Sequence, residues 1–122
     1  MELKESEEQT NKEITDTKFS VDKVDGFPDW IQLRSDDKYI VTDRKGNEYL
    51  FEDVPNKRIT RVANRIKGNK ANIDEMKFQL GLISEAMVEP KMGELEIDEL
   101  PGSIVTRLKG AVMKIFDLDS FL

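Results

Sequence analysis

The side chains that could do chemistry in this sequence are carboxylates, amines, guanidinium groups and hydroxyls, because the chain has no histidine and no cysteine. The absence of both residue types excludes Ser-His-Asp and Cys-His catalysis, disulfides, and metal sites built on imidazole or thiolate ligands. Ser-Lys pairs, carboxylate pairs and a magnesium site remain, and none shows a recognisable spacing. Asp117 and Asp119 alternate as in a calcium loop, but the other ligands of such a loop are lacking. The sequence therefore predicts no catalytic residue, no metal site and no cofactor.

The most concentrated positive charge lies between Val54 and Ala71, a segment without any acidic residue. Arg58, Arg61 and Arg65 are the candidate anion-binding residues of this segment, which is predicted to be helical. A second interpretation is a solvated face that balances the acidic segment 89–99 or the N-terminal residues. The segment lacks the interleaved aromatic side chains that would stack on bases.

Length and composition limit the number of domains and the classes of partner that this protein can have. A chain of 122 residues has room for one domain with a modest core, and its formal net charge of −6 argues against nucleic-acid binding. No apolar run approaches the ~20 residues needed to cross a bilayer, and the first residues are acidic, unlike a secretory signal. We therefore expect a cytoplasmic protein with no membrane contact.

The pattern along the chain predicts an α+β protein. Residues 1–18 are expected to form a flexible acidic tail, and residues 19–122 a single domain. The clearest β signal is a hairpin at about residues 38–53, in which Gly46 supplies the turn, with a third strand available around residues 31–34. Trp30 is expected to anchor the core or its edge.

Three principal helices are predicted after the hairpin, at about residues 56–67, 72–88 and 102–116. Gly68 is placed to end the first, Asn72 to cap the second and Pro90 to stop it, and Ser103 to cap the third. Residues 89–99 resemble an acidic loop. Gly110 should weaken the last helix by about 1 kcal/mol unless a close contact needs the space.

The C-terminal segment carries more apolar side chains than one helix face is expected to bury in a small core. Surplus apolar surface suggests contact with another chain, although Phe116, Leu118 and Phe121 could instead fold back onto the hairpin. The methionines at positions 76, 87, 92 and 113 are either an adaptable binding surface or core filler.

Two short motifs resemble a known family. The helix end Gly81-Leu-Ile-Ser-Glu-Ala-Met-Val-Glu-Pro90, an acidic linker, and Leu100-Pro-Gly-Ser-Ile-Val105 leading into a last helix near Ile115-Phe-Asp-Leu118 are similar to the tail assembly chaperones of long-tailed bacteriophages. The resemblance covers about residues 73–118. The sequence departs from the family pattern in its N-terminal half and at its C-terminal end, Asp119-Ser-Phe-Leu122.

The resemblance implies a non-enzymatic chaperone that binds and solubilises the helical tape measure protein, contacts the tail tube protein, and self-associates into a homo-oligomer. Amphipathic helices with surplus apolar surface can receive a partner helix in a groove. The residues predicted to line that groove are Leu82, Ile83, Met87, Ile104, Leu108, Val112, Ile115 and Phe116. Two alternatives stay open: a small nucleic-acid-binding regulator that uses the basic helix 57–70, and a minor structural tail or connector subunit.

Overall fold

A computed structural model of the protein describes residues 20–68 and 72–118, and over these residues it has a five-stranded sheet and four helices. The strands are β1 (Val21–Lys23), β2 (Ile31–Arg34), β3 (Lys38–Thr42), β4 (Glu48–Glu52) and β5 (Met87–Glu89). The helices are α1 (Asn56–Lys67), α2 (Glu75–Ala86), α3 (Glu94–Asp98) and α4 (Gly102–Ile115). This arrangement confirms the predicted α+β class. The predicted tail, residues 1–18, lies outside the described residues.

The sheet is antiparallel, and its spatial order β1-β2-β3-β4-β5 follows the chain. Residues 38–53 form the predicted hairpin, with Ile40 opposite Leu50, and the predicted third strand is β2. The edge strands β1 and β5 were not predicted, because three-residue strands are too short to show an alternating pattern.

The hairpin loop is organised by the carboxylate of Asp43. This side chain accepts hydrogen bonds from the backbone N–H groups of Lys45 (2.8 Å) and Asn47 (2.9 Å), from Asn47 Nδ2 (3.0 Å) and from the Tyr49 hydroxyl (2.9 Å). Gly46 has φ 92°, the left-handed conformation expected of it. A nearly buried carboxylate with this many donors fixes the register of the two longest strands.

The hydrophobic core lies between one face of the sheet and helices α2 and α4. Alternation along the strands directs Ile31, Val41, Tyr49 and Phe51 toward the helices. Trp30 packs at the edge of this core, as expected, where its ring lies 4.6 Å from the guanidinium carbon of Arg107.

The second helix is shorter than the predicted 72–88. It begins at Glu75 rather than Asn72, because the carboxylate of Asp74 accepts a hydrogen bond from the Lys77 N–H and is the N-cap. It ends at Ala86, and Met87 has an extended backbone that lets β5 pair with β4. Pro90 therefore follows a strand and does not stop a helix.

Two further boundaries differ from the prediction. The acidic segment 89–99, expected to be a loop, contains β5's last residue and α3, whose Ile97 is fully buried. The last helix keeps its predicted range to within one residue, ending at Ile115, but Pro101 rather than Ser103 occupies its N-cap position, without a side-chain hydrogen bond. The first helix matches its predicted bounds, and Gly68 ends it with φ 57°.

None of the helices in the described ranges is long and apolar enough to span a membrane.

Candidate partner-binding surface

The residues predicted to line a partner groove lie in or against the protein's own core. Five of them are fully buried: Leu82, Ile83, Met87, Leu108 and Val112. Ile104 and Ile115 are 8% exposed, and Phe116 is partly buried against the same hydrophobic cluster. A partner could reach them only if the helices separated from the sheet. The expectation that these side chains are surplus is therefore not met, and the groove is not retained at this place.

The prediction of surplus apolar side chains on the last helices is wrong because β5 and α3, which have no recognisable pattern in the sequence, add to the core. Met87 enters the core from β5, and α3 contributes Ile97, so the core is larger than one hairpin and three helices would provide. Phe116 and Leu118 pack against this core, in line with the alternative left open for them, and Phe121 lies outside the described residues. Three of the four named methionines are also buried or partly buried, and Met76 is the exception.

The exposed large apolar side chains lie elsewhere. Among the described residues they are Ile73, 41% exposed, Met76, 65% exposed, and Leu95, 81% exposed. We call these three side chains the apolar surface. Single exposed hydrophobic residues are common on soluble proteins. Their position relative to one another therefore decides whether they indicate a binding surface.

Two of these side chains lie in the first turns of two helices that contact each other, Met76 in α2 and Leu95 in α3. Met76, Leu80 and Ser84 follow one another at four-residue spacing, so they line one side of the helix. Ser84 Oγ donates a hydrogen bond of 2.9 Å to the carbonyl oxygen of Met92, which fixes the segment leading into α3 along that side. Leu95 follows in the first turn of α3 and points to solvent, because Ile97 takes the buried side. The start of α3 therefore lies beside the C-terminal half of α2, whereas Met76 is in the first turn of that helix.

α3 is held in place by polar contacts as well as by Ile97. The carboxylate of Glu96 accepts a hydrogen bond of 2.8 Å from the backbone N–H of Gly93, and Arg65 donates to Glu94 at 2.7 Å. Lys91 donates to the carbonyl oxygens of Ser84 and Met87, each at 3.2 Å. A five-residue helix needs such support, since isolated short helices are unstable in water.

The candidate anion-binding arginines are not equivalent. Arg58 donates through Nε to Glu85 at 2.6 Å and lies 3.7 Å from Glu52, and Arg65 is paired with Glu94. Arg61 is exposed on the same helix. Two of the three guanidinium groups therefore already face carboxylates. One of these carboxylates, Glu94, belongs to the acidic segment 89–99, as the second interpretation expected, whereas Glu52 and Glu85 do not.

A cleft of about 490 Å³ opens at the turn between β2 and β3, at the end of the β3–β4 hairpin opposite its Gly46 loop. Its lining consists of Leu33, Asp36, Asp37, Lys38, Tyr39, Glu52 and Asp53. Arg34 donates two hydrogen bonds to the Asp36 carboxylate, at 2.9 and 2.8 Å, and this contact lowers the pKa of Asp36 to about 2. Asp36 is therefore ionised at neutral pH and is not suited to act as a general acid.

The acidic side chains of the described ranges form no cluster of three or more that could hold a metal ion. No protein-family model, no curated protein and no solved structure matches this chain.

Proposed function

We propose that this protein is a non-enzymatic tail assembly chaperone that binds the tape measure protein of a long-tailed bacteriophage in the host cytoplasm. The resemblance of residues 73–118 to that family supports the proposal. The structural observation that favours it most is the apolar surface, where large side chains remain open to solvent on adjoining elements. A surface of this kind favours binding of another polypeptide.

The placement of the binding residues changes from the sequence-based hypothesis. The eight core residues stabilise the fold, and the apolar surface replaces them as the contact region for a partner. The nucleic-acid-binding alternative is not favoured, because Arg58 and Arg65 are engaged with carboxylates and the chain is acidic.

Co-expression tests the proposed function directly. The tape measure protein encoded with this chain is produced alone and together with a tagged copy of the chain, and soluble and tag-retained fractions are compared. We expect the tape measure protein to aggregate alone and to be retained in soluble form by the tagged chain. A tape measure protein that is equally soluble alone, or that is never retained, would refute the proposal.

Two further measurements address the related hypotheses. Mass spectrometry of mature particles distinguishes a chaperone, which is absent from them, from a minor tail or connector subunit, which is present. Light scattering during size-exclusion chromatography gives the mass of the assembly, and we expect a multiple of the 14.1 kDa protomer.

A further inference from the structure

We propose that residues 1–19 of this chain, which precede β1, lie across the face of the sheet that points away from α2 and α4. We call this face the second face. By alternation along the strands it carries Gln32 and Arg34 of β2, Ile40 of β3 and Leu50 of β4. The inference is independent of the proposed function, and it opposes the sequence-based expectation of a flexible tail at residues 1–18.

The centre of the second face is buried and apolar. Ile40 and Leu50 lie directly opposite each other on β3 and β4, and they are only 1% and 4% exposed. Neither side chain belongs to the core cluster between the sheet and the helices. An antiparallel sheet with one solvated face carries polar side chains on that face, in contact with water. The burial of this apolar pair therefore requires a cover on the second face.

The charged side chains around this pair do not account for the cover. Arg34 is 7% exposed, and one carboxylate oxygen of Glu48, Oε1, is buried. Both residues lie on the second face, each two positions along its strand from a residue already placed there. Long charged side chains that cover apolar surface keep their own charged ends in water. Because Arg34 and this carboxylate oxygen are withdrawn from water as well, the cover extends beyond the apolar pair.

Within the described ranges, the helices direct their buried side chains toward the other face of the sheet. Apart from Val62 and Met113, every buried apolar side chain of α1 to α4 belongs to the core cluster. Val62 lies against Gly81 of α2, and Met113 belongs to α4, which packs on the core side of the sheet. The cover must therefore come from another part of the chain.

Three segments of the chain remain, and their lengths and attachment points distinguish them. Residues 69–71 connect α1 to α2 and include no large apolar side chain. Residues 119–122 follow Leu118, which packs against the core on the helix side. Four residues reach about 13 Å even when fully extended, too short a distance to pass from the helix layer round the edge of the sheet.

Residues 1–19 are attached at the right place and are long enough. They end beside Ser20, whose carbonyl oxygen accepts a hydrogen bond of 2.9 Å from the Ser35 N–H next to the edge strand β1. Ile40 lies two strands from β1, a distance of about 10 Å at the usual strand spacing. Nineteen residues span about 28 Å even in a helix, the most compact of the regular conformations considered.

The composition of residues 1–19 matches the second face. The segment has apolar side chains at Met1, Leu3, Ile14 and Phe19, and it carries both carboxylates and lysines. We expect Ile14 and Phe19 to cover the apolar pair, because they are the two closest in sequence to β1. Carboxylates and lysines in one segment also match the opposite charges of Arg34 and Glu48.

Thiol labelling of the full chain tests the cover. The natural sequence has no cysteine, so an introduced cysteine is the only thiol in each variant. Ile40→Cys places it on the second face, and Lys45→Cys places it in the exposed hairpin loop as the reference. We expect a thiol-reactive dye to react at position 40 about tenfold more slowly than at position 45, or slower still.

Further substitutions then identify the segment. Adding Ile14→Ser/Phe19→Ser to Ile40→Cys should raise the labelling rate toward that of Lys45→Cys. Adding Lys12→Ser/Lys18→Ser instead is the matched control, because it changes two polar residues of the same segment, and it should leave position 40 protected. Fluorescence of Trp30 reports whether each variant is folded. Fast labelling at position 40 in the parent variant, or protection that persists with Ile14→Ser/Phe19→Ser, would overturn the proposal.

A spin label gives a second test that leaves the sheet unchanged. A nitroxide is attached at Thr10→Cys in the full chain, and methyl NMR signals are compared with and without its reduction. We expect broadening of Ile40 and Leu50 on the second face and little effect on Ile83 and Leu108 on the core side. Equal broadening on the two sides would refute the placement. Isotope-labelled protein without nitroxide, mixed with spin-labelled protein, should show no broadening, and broadening there would assign the cover to a second copy of the chain instead.

Discussion

A β-carbon at position 81 would lie 2.7 Å from Cγ1 of Val62, so the close approach of α1 to α2 depends on Gly81 having no side chain. Val62 is the one buried residue of α1, and its branched side chain has little rotamer freedom in a helix. This contact, with the Arg58–Glu85 ion pair, joins the two helices.

Gly81→Ala should destabilise the protein by a net amount on the order of 1 kcal/mol. Overpacking costs about 1–3 kcal/mol, while alanine gains about 1 kcal/mol over glycine in helix propensity. Urea denaturation measures the change. In a Val62→Ala background the clash disappears, so the same substitution should become neutral or stabilising. A stabilising effect in the wild-type background would contradict this account of the contact.

Gly110→Ala should have the opposite sign. A β-carbon there would lie 3.6 Å from Trp30, an ordinary van der Waals distance, and Gly110 has no left-handed backbone to preserve. Removing the backbone freedom of an interior helical glycine should stabilise the protein by about 0.5–1 kcal/mol. Thermal or urea unfolding checks this, and a loss of stability would show that Trp30 cannot accommodate the methyl group.

Arg58→Met should cost about 1 kcal/mol, because Arg58 contacts Glu85 at 2.6 Å while both side chains are about 30% exposed, and solvent screening limits such pairs. Arg61→Met is the matched control, since Arg61 is exposed on the same helix, and its effect should stay within about 0.5 kcal/mol. Denaturation in low and high salt provides the measurement. The cost at Arg58 should shrink in high salt, and equal costs at the two positions would argue against the ion pair.

Asp43→Asn should lower the free energy of unfolding at neutral pH by about 2 kcal/mol, because hydrogen bonds to a charged group are lost or weakened. Burial acts to raise the pKa of Asp43, but the hydrogen bonds from Asn47, Tyr49 and the Lys45 N–H outweigh it and lower the pKa. The stabilisation is present above the unfolded-state pKa of about 3.9 and is lost as pH falls through the lower folded-state pKa. The difference between the variant and the wild type should therefore narrow in acid, and a difference that is constant down to pH 2 would contradict the assignment.

Tyr49→Phe tests the alkaline side of the same cluster. Burial and then the hydrogen bond to Asp43 raise the pKa of Tyr49 to about 12, against about 10 in the unfolded chain. The unfolded state therefore releases its proton first, and the contribution of Tyr49 is complete below pH ~10 and lost as pH rises toward 12. Stability curves at alkaline pH should fall more steeply for the wild type than for Tyr49→Phe. Parallel curves would exclude this role, because every other titrating group is the same in the two proteins.

Local signals account for the parts of the fold that the sequence predicted correctly. The hairpin needs only β-branched and aromatic runs around Gly46, and α1 needs only its apolar spacing and Gly68, so neither depends on distant residues. The predicted range of α2 is too long at both ends. At the start, Asn72 and Asp74 are equally suitable N-caps by residue type. At the end, the side chain of Met87 is compatible with either a helix or a strand. Pairing of β5 with β4, a contact between residues far apart in sequence, decided the C-terminal boundary.

The candidate site could not be located from periodicity alone. An apolar stripe on a helix looks the same whether it faces the protein's own sheet or a partner, so Leu82 and Leu108 could not be distinguished from surface residues by spacing. Leu95 gave no periodic signal within a segment expected to be a loop. Its exposure follows from the burial of Ile97 on the opposite side of α3. That helix is held in place by the hydrogen bond from Arg65 to Glu94 and, just before it, by the hydrogen bond from Ser84 to Met92.

By itself the sequence determined the α+β class, the central hairpin, three helices, and the lack of histidine and cysteine chemistry, since these depend on composition and on short-range patterns. Tertiary structure alone decided which apolar side chains form the core and which remain exposed, and which arginines are neutralised. The physical reason is that burial and ion pairing are properties of two surfaces in contact, and the sequence of one helix does not specify what lies against it.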